Sequence, residues 1–99
     1  MEFISVDISL NDTYQVEKNV FINLIKKSIT KVKNIEFTSL EVEILKNKND
    51  IVIAIEVKKN EKITLKDAIL NVNDAVESAV FNLIEAKPQN IEIIVKEGK

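Results

Sequence analysis

Apolar side chains in this 99-residue chain switch between two repeats, and the order of the switches limits what it can fold into. Residues 3–10, 40–45, 51–58 and 91–95 are apolar at every second position, the pattern of half-buried strands. Residues 13–33 and 64–86 carry apolar side chains at three- and four-residue spacings, as amphipathic helices do. The polar turn 46–50 joins the two middle strands into a hairpin. The predicted order is therefore βαββαβ.

This order predicts a single α+β domain over residues 1–99, with one four-stranded sheet and both helices packed on one of its faces. The apolar positions that face inward in the pattern should form the core. Among them we expect Ile53, Ile55, Val72, Val76, Ile91 and Ile93.

Capping side chains predict the ends of the helices. Asp12, with Gln15 three residues later, places the start of the first helix at position 13, and Thr64 with Asp67 marks the start of the second. Asn34 tolerates a left-handed backbone, so it is expected to end the first helix. The second helix should end near position 86, before the single Pro at 88.

The residue types that the chain lacks exclude most catalytic and metal sites. It has no Cys, His, Arg or Trp, and its one Gly is at position 98. Nucleophilic relays and zinc sites need His or Cys, and phosphate-binding loops need several glycines. With a net charge of −2 there is no overall basic excess for specific nucleic-acid binding. We therefore expect no enzyme activity, no metal and no cofactor.

A carboxylate-based enzyme is the one catalytic alternative left. Outward strand positions collect Asp7, Glu41, Glu43, Glu56 and Glu92. Lys58 and Lys96 share that face, and alternating charges are how an exposed sheet is commonly solvated. Surface solvation is therefore the favoured interpretation of these carboxylates.

Surplus apolar side chains suggest protein binding on two surfaces. Leu70 and Phe81 lie three turns apart on the polar side of the second helix, on either side of Asp74 and Glu77. The helix already has a complete inward stripe, so these two residues are not needed for its packing. On the sheet face away from the helices, alternation places Phe37, Val52, Ala54 and Ile94.

A run of lysines gives an alternative. The first helix and its exit carry Lys18, Lys26, Lys27, Lys31 and Lys33 with no acid between positions 18 and 33. Such a surface could contact RNA, a ribosome or anionic lipid, although it lacks the aromatic and Arg side chains that hold bases and phosphates. Any RNA binding should then be weak and non-specific.

The second half of the chain resembles a known family in its apolar pattern. The segments that carry the likeness are the strand IVIAIEV at 51–57, Leu65, the Asn-Val-Asn step at 71–73, Val76, Val80 and the closing strand 90–95. They resemble the alkaline shock proteins, small envelope stress response proteins of low-GC Gram-positive bacteria. Residues 20–35 look like that family's first helix, with Asn34 where the family usually has Gly.

The resemblance implies a non-enzymatic cytoplasmic protein, which in some members of the family is held at the inner face of the membrane by protein partners. Together with the exposed apolar side chains, it predicts an interaction or scaffold domain in envelope or stress homeostasis that binds protein partners or itself. An RNA- or ribosome-associated factor is the alternative.

Overall fold

The computed structural model describes residues 2–9, 11–45, 47 and 49–98. Leu10, in the first predicted strand, and Lys46 and Lys48, in the predicted turn, lie outside the described residues. In chain order the elements are β1 (Phe3–Asp7), β2 (Thr13–Glu17), α1 (Lys18–Thr30), β3 (Ile35–Leu45), β4 (Asp50–Lys59), α2 (Leu65–Ile84) and β5 (Asn90–Glu97).

The described residues form two sheets, so the predicted single four-stranded sheet is wrong. β1 and β2 make an antiparallel hairpin, and a second sheet has the order β3-β4-β5. β3 and β4 are antiparallel, as the polar turn between them predicted, and β5 returns from α2 to lie parallel to β4. β5 lies beside β4 in the three-stranded sheet, whereas β1 pairs with β2, which follows it in the chain. The α+β class is confirmed.

Residues 13–17 form a strand, although their spacing predicted the start of the first helix. The carbonyl of Asp12 accepts hydrogen bonds from the N–H groups of Ile8 at 2.8 Å and Ser9 at 3.2 Å, and the Asp12 carboxylate accepts one from the Ser9 hydroxyl. Asp12 therefore closes a tight turn and does not cap a helix. The turn brings Ile4 opposite Val16, and both side chains are buried.

The ends of the helices follow local chemistry. α1 begins after Glu17 without a side-chain cap and ends at Thr30, and Asn34 has the expected left-handed backbone with φ of 66°. At the start of α2 the Thr64 hydroxyl accepts a hydrogen bond from Asp67 N–H at 3.1 Å, so that predicted cap is confirmed. α2 ends at the left-handed Glu85.

The core lies between the three-stranded sheet and the two helices. It contains Ile51, Ile53, Ile55 and Val57 of β4, Phe21, Ile25 and Ile29 of α1, and Val72, Val76 and Val80 of α2. Of the core residues predicted from sequence, the four on β4 and α2 are buried. Ile91 and Ile93 pack against the core but are only partly buried, because β5 is an edge strand.

Phe37 lies on the helix side of the sheet, so its predicted place on the open face is wrong. The β3–β4 register shifts between Phe37 and Ser39, where β3 carries one extra residue. Phe37 consequently faces buried Val57 and packs against the core, with Lys26 Nζ 5.6 Å from the centre of its ring. A bulge of this kind reverses the alternation on one side of it.

Side-chain hydrogen bonds tie the β1–β2 hairpin to the rest of the molecule. Asn49, with φ of 50°, accepts a hydrogen bond from Ser5 N–H at 2.9 Å and donates one to the Ser5 carbonyl at 2.7 Å. The Tyr14 hydroxyl donates to the Leu83 carbonyl at the end of α2, at 2.7 Å. The hairpin is thus anchored to the β3–β4 turn and to α2.

Candidate functional site

Four residues of α2 share one side of the helix, which we call the outer face of α2: Leu70, Asp74, Glu77 and Phe81. Three of them are exposed and Glu77 is partly buried. With 3.6 residues per turn, these positions lie within about 60° of one another around the helix axis. Leu70 is 48% exposed and Phe81 is 51% exposed. The acids lie between them, and Glu77 accepts a hydrogen bond from Asn73 at 3.2 Å. The stripe therefore reads apolar, acidic, apolar along its length.

A shallow groove of about 460 Å³ runs beside Phe81. It is lined by Asp74, Glu77, Ser78, Phe81, Asn82 and Lys87. Sequence reasoning singled out three of the six. Ser78 and Asn82 follow Asp74 at four-residue intervals, so helical spacing could have found them. Lys87 lies beyond the end of α2, where no helical spacing applies.

The open face of the three-stranded sheet is mainly charged. Val52 and Ala54 of β4 are partly buried there, and Ile94 of β5 is 45% exposed. Glu56 lies opposite Ile94 in the β4–β5 register and forms a salt bridge of 3.4 Å with Lys96. Since Phe37 does not lie on this face, the apolar area of the face is smaller than the sequence predicted.

The five lysines near α1 do not form one stripe. Lys18 pairs with Glu2 at 3.3 Å, and Lys26 lies over the ring of Phe37. Lys26 and Lys27 are consecutive, so they point about 100° apart around the helix. Lys31 and Lys33 are exposed beyond the end of the helix. The cationic surface is therefore divided among several directions.

Another depression, of about 640 Å³, lies beside the edge strand β3. Its walls include the Glu2–Lys18 ion pair, Ile22, Val52 and the outward acids Glu41 and Glu43. Among the residues that the structure describes, no three acids lie close enough together to hold a metal ion. No buried side-chain nitrogen or oxygen in those residues lacks a hydrogen-bond partner.

Neither helix of the described chain has the length and apolar character needed to cross a membrane.

Comparison of the chain with protein-family models gives no match, and comparison with curated proteins gives none either. Solved structures of the C-terminal domain of MamM are similar in fold. A single-site variant of that domain superposes with a TM-score of 0.61 at 15% identity, covering 84% of this chain and 100% of the other. A double variant gives 0.59 at 17% identity, covering 82% and 94%. A copper form of the domain gives 0.59 at 16% identity, covering 82% and 98%. At such identities the likeness shows the fold alone.

Proposed function

We propose that this protein is a non-enzymatic interaction domain that binds a partner protein through the outer face of α2. The observation that carries the proposal is the pair of half-exposed apolar side chains, Leu70 and Phe81, with Asp74 and Glu77 between them. Aromatic side chains at the centre of an interface often supply much of its binding energy. A non-enzymatic role is supported by the lack of Cys and His in the sequence.

The charges on this face indicate the chemistry of the partner. Two copies of the outer face packed against each other would bring Asp74 and Glu77 close to the same acids of the second copy, and like charges in contact are unfavourable. A segment with Lys or Arg between two apolar residues would fit both the charge and the spacing. We therefore propose a basic, amphipathic segment of another protein as the occupant.

The test compares baits that differ only on α2. Wild type and Leu70→Ser/Phe81→Ser are immobilised and exposed to native extract, and bound proteins and RNA are quantified separately. Leu65→Ser serves as the matched control, because Leu65 is 53% exposed on the same helix but points about 140° away from Leu70. We expect a protein that is lost from the double variant and retained by the control.

Binding by the purified partner then decides the proposal. Asp74→Lys/Glu77→Lys should weaken this binding at least tenfold. The melting temperatures of all variants should stay close to that of wild type, since none of the mutated side chains belongs to the buried core. If no protein depends on Leu70 and Phe81, or if a dependent protein binds the charge-reversed variant equally well, the proposal fails.

RNA binding is the second outcome that the experiment can report. RNA that is recovered by wild type and lost from Lys27→Glu/Lys31→Glu/Lys33→Glu would support the alternative function. Lysine contacts act as point charges, so such binding should fall steeply with salt.

A role in envelope stress is a finer proposal, supported only by the resemblance to the alkaline shock proteins. It is tested by deleting the gene and following growth and envelope integrity under alkaline stress. A deletion strain indistinguishable from wild type would remove that assignment without affecting the proposed binding surface.

A further inference from the structure

β5 has a free edge. Among the described residues it is hydrogen-bonded to β4 on one side only. The carbonyls of Ile51 and Lys59 both accept hydrogen bonds from the β5 side. The odd-numbered residues of β4 therefore direct their backbone N–H and C=O groups towards β5. In a parallel pair, a residue bonds to the two neighbours of its register partner. The partner of Val57 is Val95, so Val57 bonds to Ile94 and Lys96.

It follows that the even-numbered residues of β5 direct their N–H and C=O groups towards β4. The backbone groups of Ile91, Ile93, Val95 and Glu97 point away from the sheet, where a further strand could bind. The first three of these side chains are only partly buried against the core. A strand added at this edge would cover them further.

The two edges of the sheet differ in charge. β3 carries Glu36, Glu41 and Glu43, no lysine and a bulge, so it repels another copy of itself. β5 instead has Glu92 and Lys96 placed symmetrically, two residues on either side of the exposed Ile94. Two copies of a strand with this pattern are complementary in charge when they run antiparallel.

We propose that two copies of this chain pair antiparallel through β5, with Ile94 opposite the second copy's Ile94. In this register each Glu92 faces the second copy's Lys96, each Ile93 faces the second copy's Val95, and outward backbone groups meet outward backbone groups. Moving the centre of the pairing to Ile93 keeps the backbone bonds but places Ile94 opposite Glu92. The side chains therefore select the register centred on Ile94, and the dimer has one continuous sheet. This surface is separate from the outer face of α2.

Pairing along one strand buries less area than a standard protein interface, so the dimer should be weak. We expect a dissociation constant between about 10 µM and 1 mM. Sedimentation equilibrium of the full chain over that concentration range should show a monomer–dimer equilibrium. A protein that is entirely monomeric at about 1 mM would overturn the proposal.

Charge reversal tests the register. Glu92→Lys places Lys opposite Lys96, and Lys96→Glu places Glu opposite Glu92, so each variant alone should dimerise at least tenfold more weakly than wild type. Mixing the two variants restores opposite charges at both positions and should give a heterodimer. The double variant Glu92→Lys/Lys96→Glu should recover the homodimer. Glu43→Lys, on the other edge strand, is the matched control and should dimerise like wild type.

A second measurement locates the contact and does not depend on the charges. Amide hydrogen exchange at Ile93 and Val95 should slow as the concentration rises through the dissociation constant, while exchange at the α2 amides should not change. Melting temperatures separate lost pairing from lost folding.

Three results would contradict the β5 pairing. They are single charge variants that dimerise like wild type, a mixture that stays monomeric, and a dimer that is lost in Leu70→Ser/Phe81→Ser. The last would relocate self-association to α2. Because the α2 variants should keep the dimer and the β5 variants should keep partner binding, the two proposals can fail separately.

Discussion

Ile53 lies at the centre of the sheet's inner face and is fully buried. Ile53→Ala removes apolar contacts and leaves a cavity between β4 and the helices, so the free energy of unfolding should fall by roughly 2 to 5 kcal/mol. Urea denaturation followed by circular dichroism measures the loss. The control is Ile8→Ala, the same change at a side chain that is 67% exposed, which should cost under about 0.5 kcal/mol. Equal costs at both positions would contradict the assigned core.

Glu85 ends α2 with a left-handed backbone, φ 55°, which is unfavourable for a residue with a Cβ atom. Glu85→Gly should therefore raise the free energy of unfolding by about 1 kcal/mol relative to Glu85→Ala. Both changes remove the same charge from the C-terminus of the helix, so their difference reports the backbone conformation alone. Thermal unfolding of the two variants provides the comparison, and a less stable Gly variant would contradict it.

Among the described elements, the β1–β2 hairpin is the one least firmly attached to the rest of the molecule. Asn49→Gly keeps a residue suited to φ of 50° but removes both hydrogen bonds to Ser5. We expect faster amide exchange in β1 and β2, unchanged exchange in β4, and a loss of about 1 kcal/mol in stability. Tyr14→Phe removes the hydrogen bond to the Leu83 carbonyl and should change exchange and stability in the same direction. Uniformly faster exchange throughout the chain would show that the hairpin does not open separately.

Periodicity was sufficient for β4, α2, β5 and the part of β3 after its bulge, because each of these carries one unambiguous repeat. It was insufficient at residues 13–17, where Val16 fits both a helix continuing to Val20 and a strand alternating with Tyr14. The pairing of Ile4 with Val16 decides between them, and that contact is not visible in local spacing. Phe37 was assigned to the wrong face for a related reason, since the bulge beside it is defined by the pairing of β3 with β4 and not by local spacing.

The whole molecule is elongated, with principal extents of 51 × 20 × 18 Å and a Cα radius of gyration of 14.4 Å. A compact domain of this length would have a radius of about 13 Å. Small-angle scattering of the Glu92→Lys variant, which should be monomeric, ought to give a longest dimension near 51 Å. A compact, nearly spherical profile would contradict the elongated shape.

Helical spacing alone was enough to single out Leu70 and Phe81 as surplus to the packing of α2. The β5 edge could not be identified in the same way. Its availability depends on which strand occupies the place beside β4, and the sequence pattern assigned β1 to the same sheet. Surfaces formed by one helix can thus be predicted from spacing, whereas surfaces formed by strand order require the fold.

The parallel pairing of β4 with β5 also affects how the protein is made. During synthesis β4 has its neighbour β3 at once, but its other edge waits for roughly 40 more residues, which takes about 2 to 8 seconds at ordinary translation rates. Throughout that interval β4, the most deeply buried strand of the fold, has one side unpaired. This protein should therefore need a chaperone most while it is still bound to the ribosome.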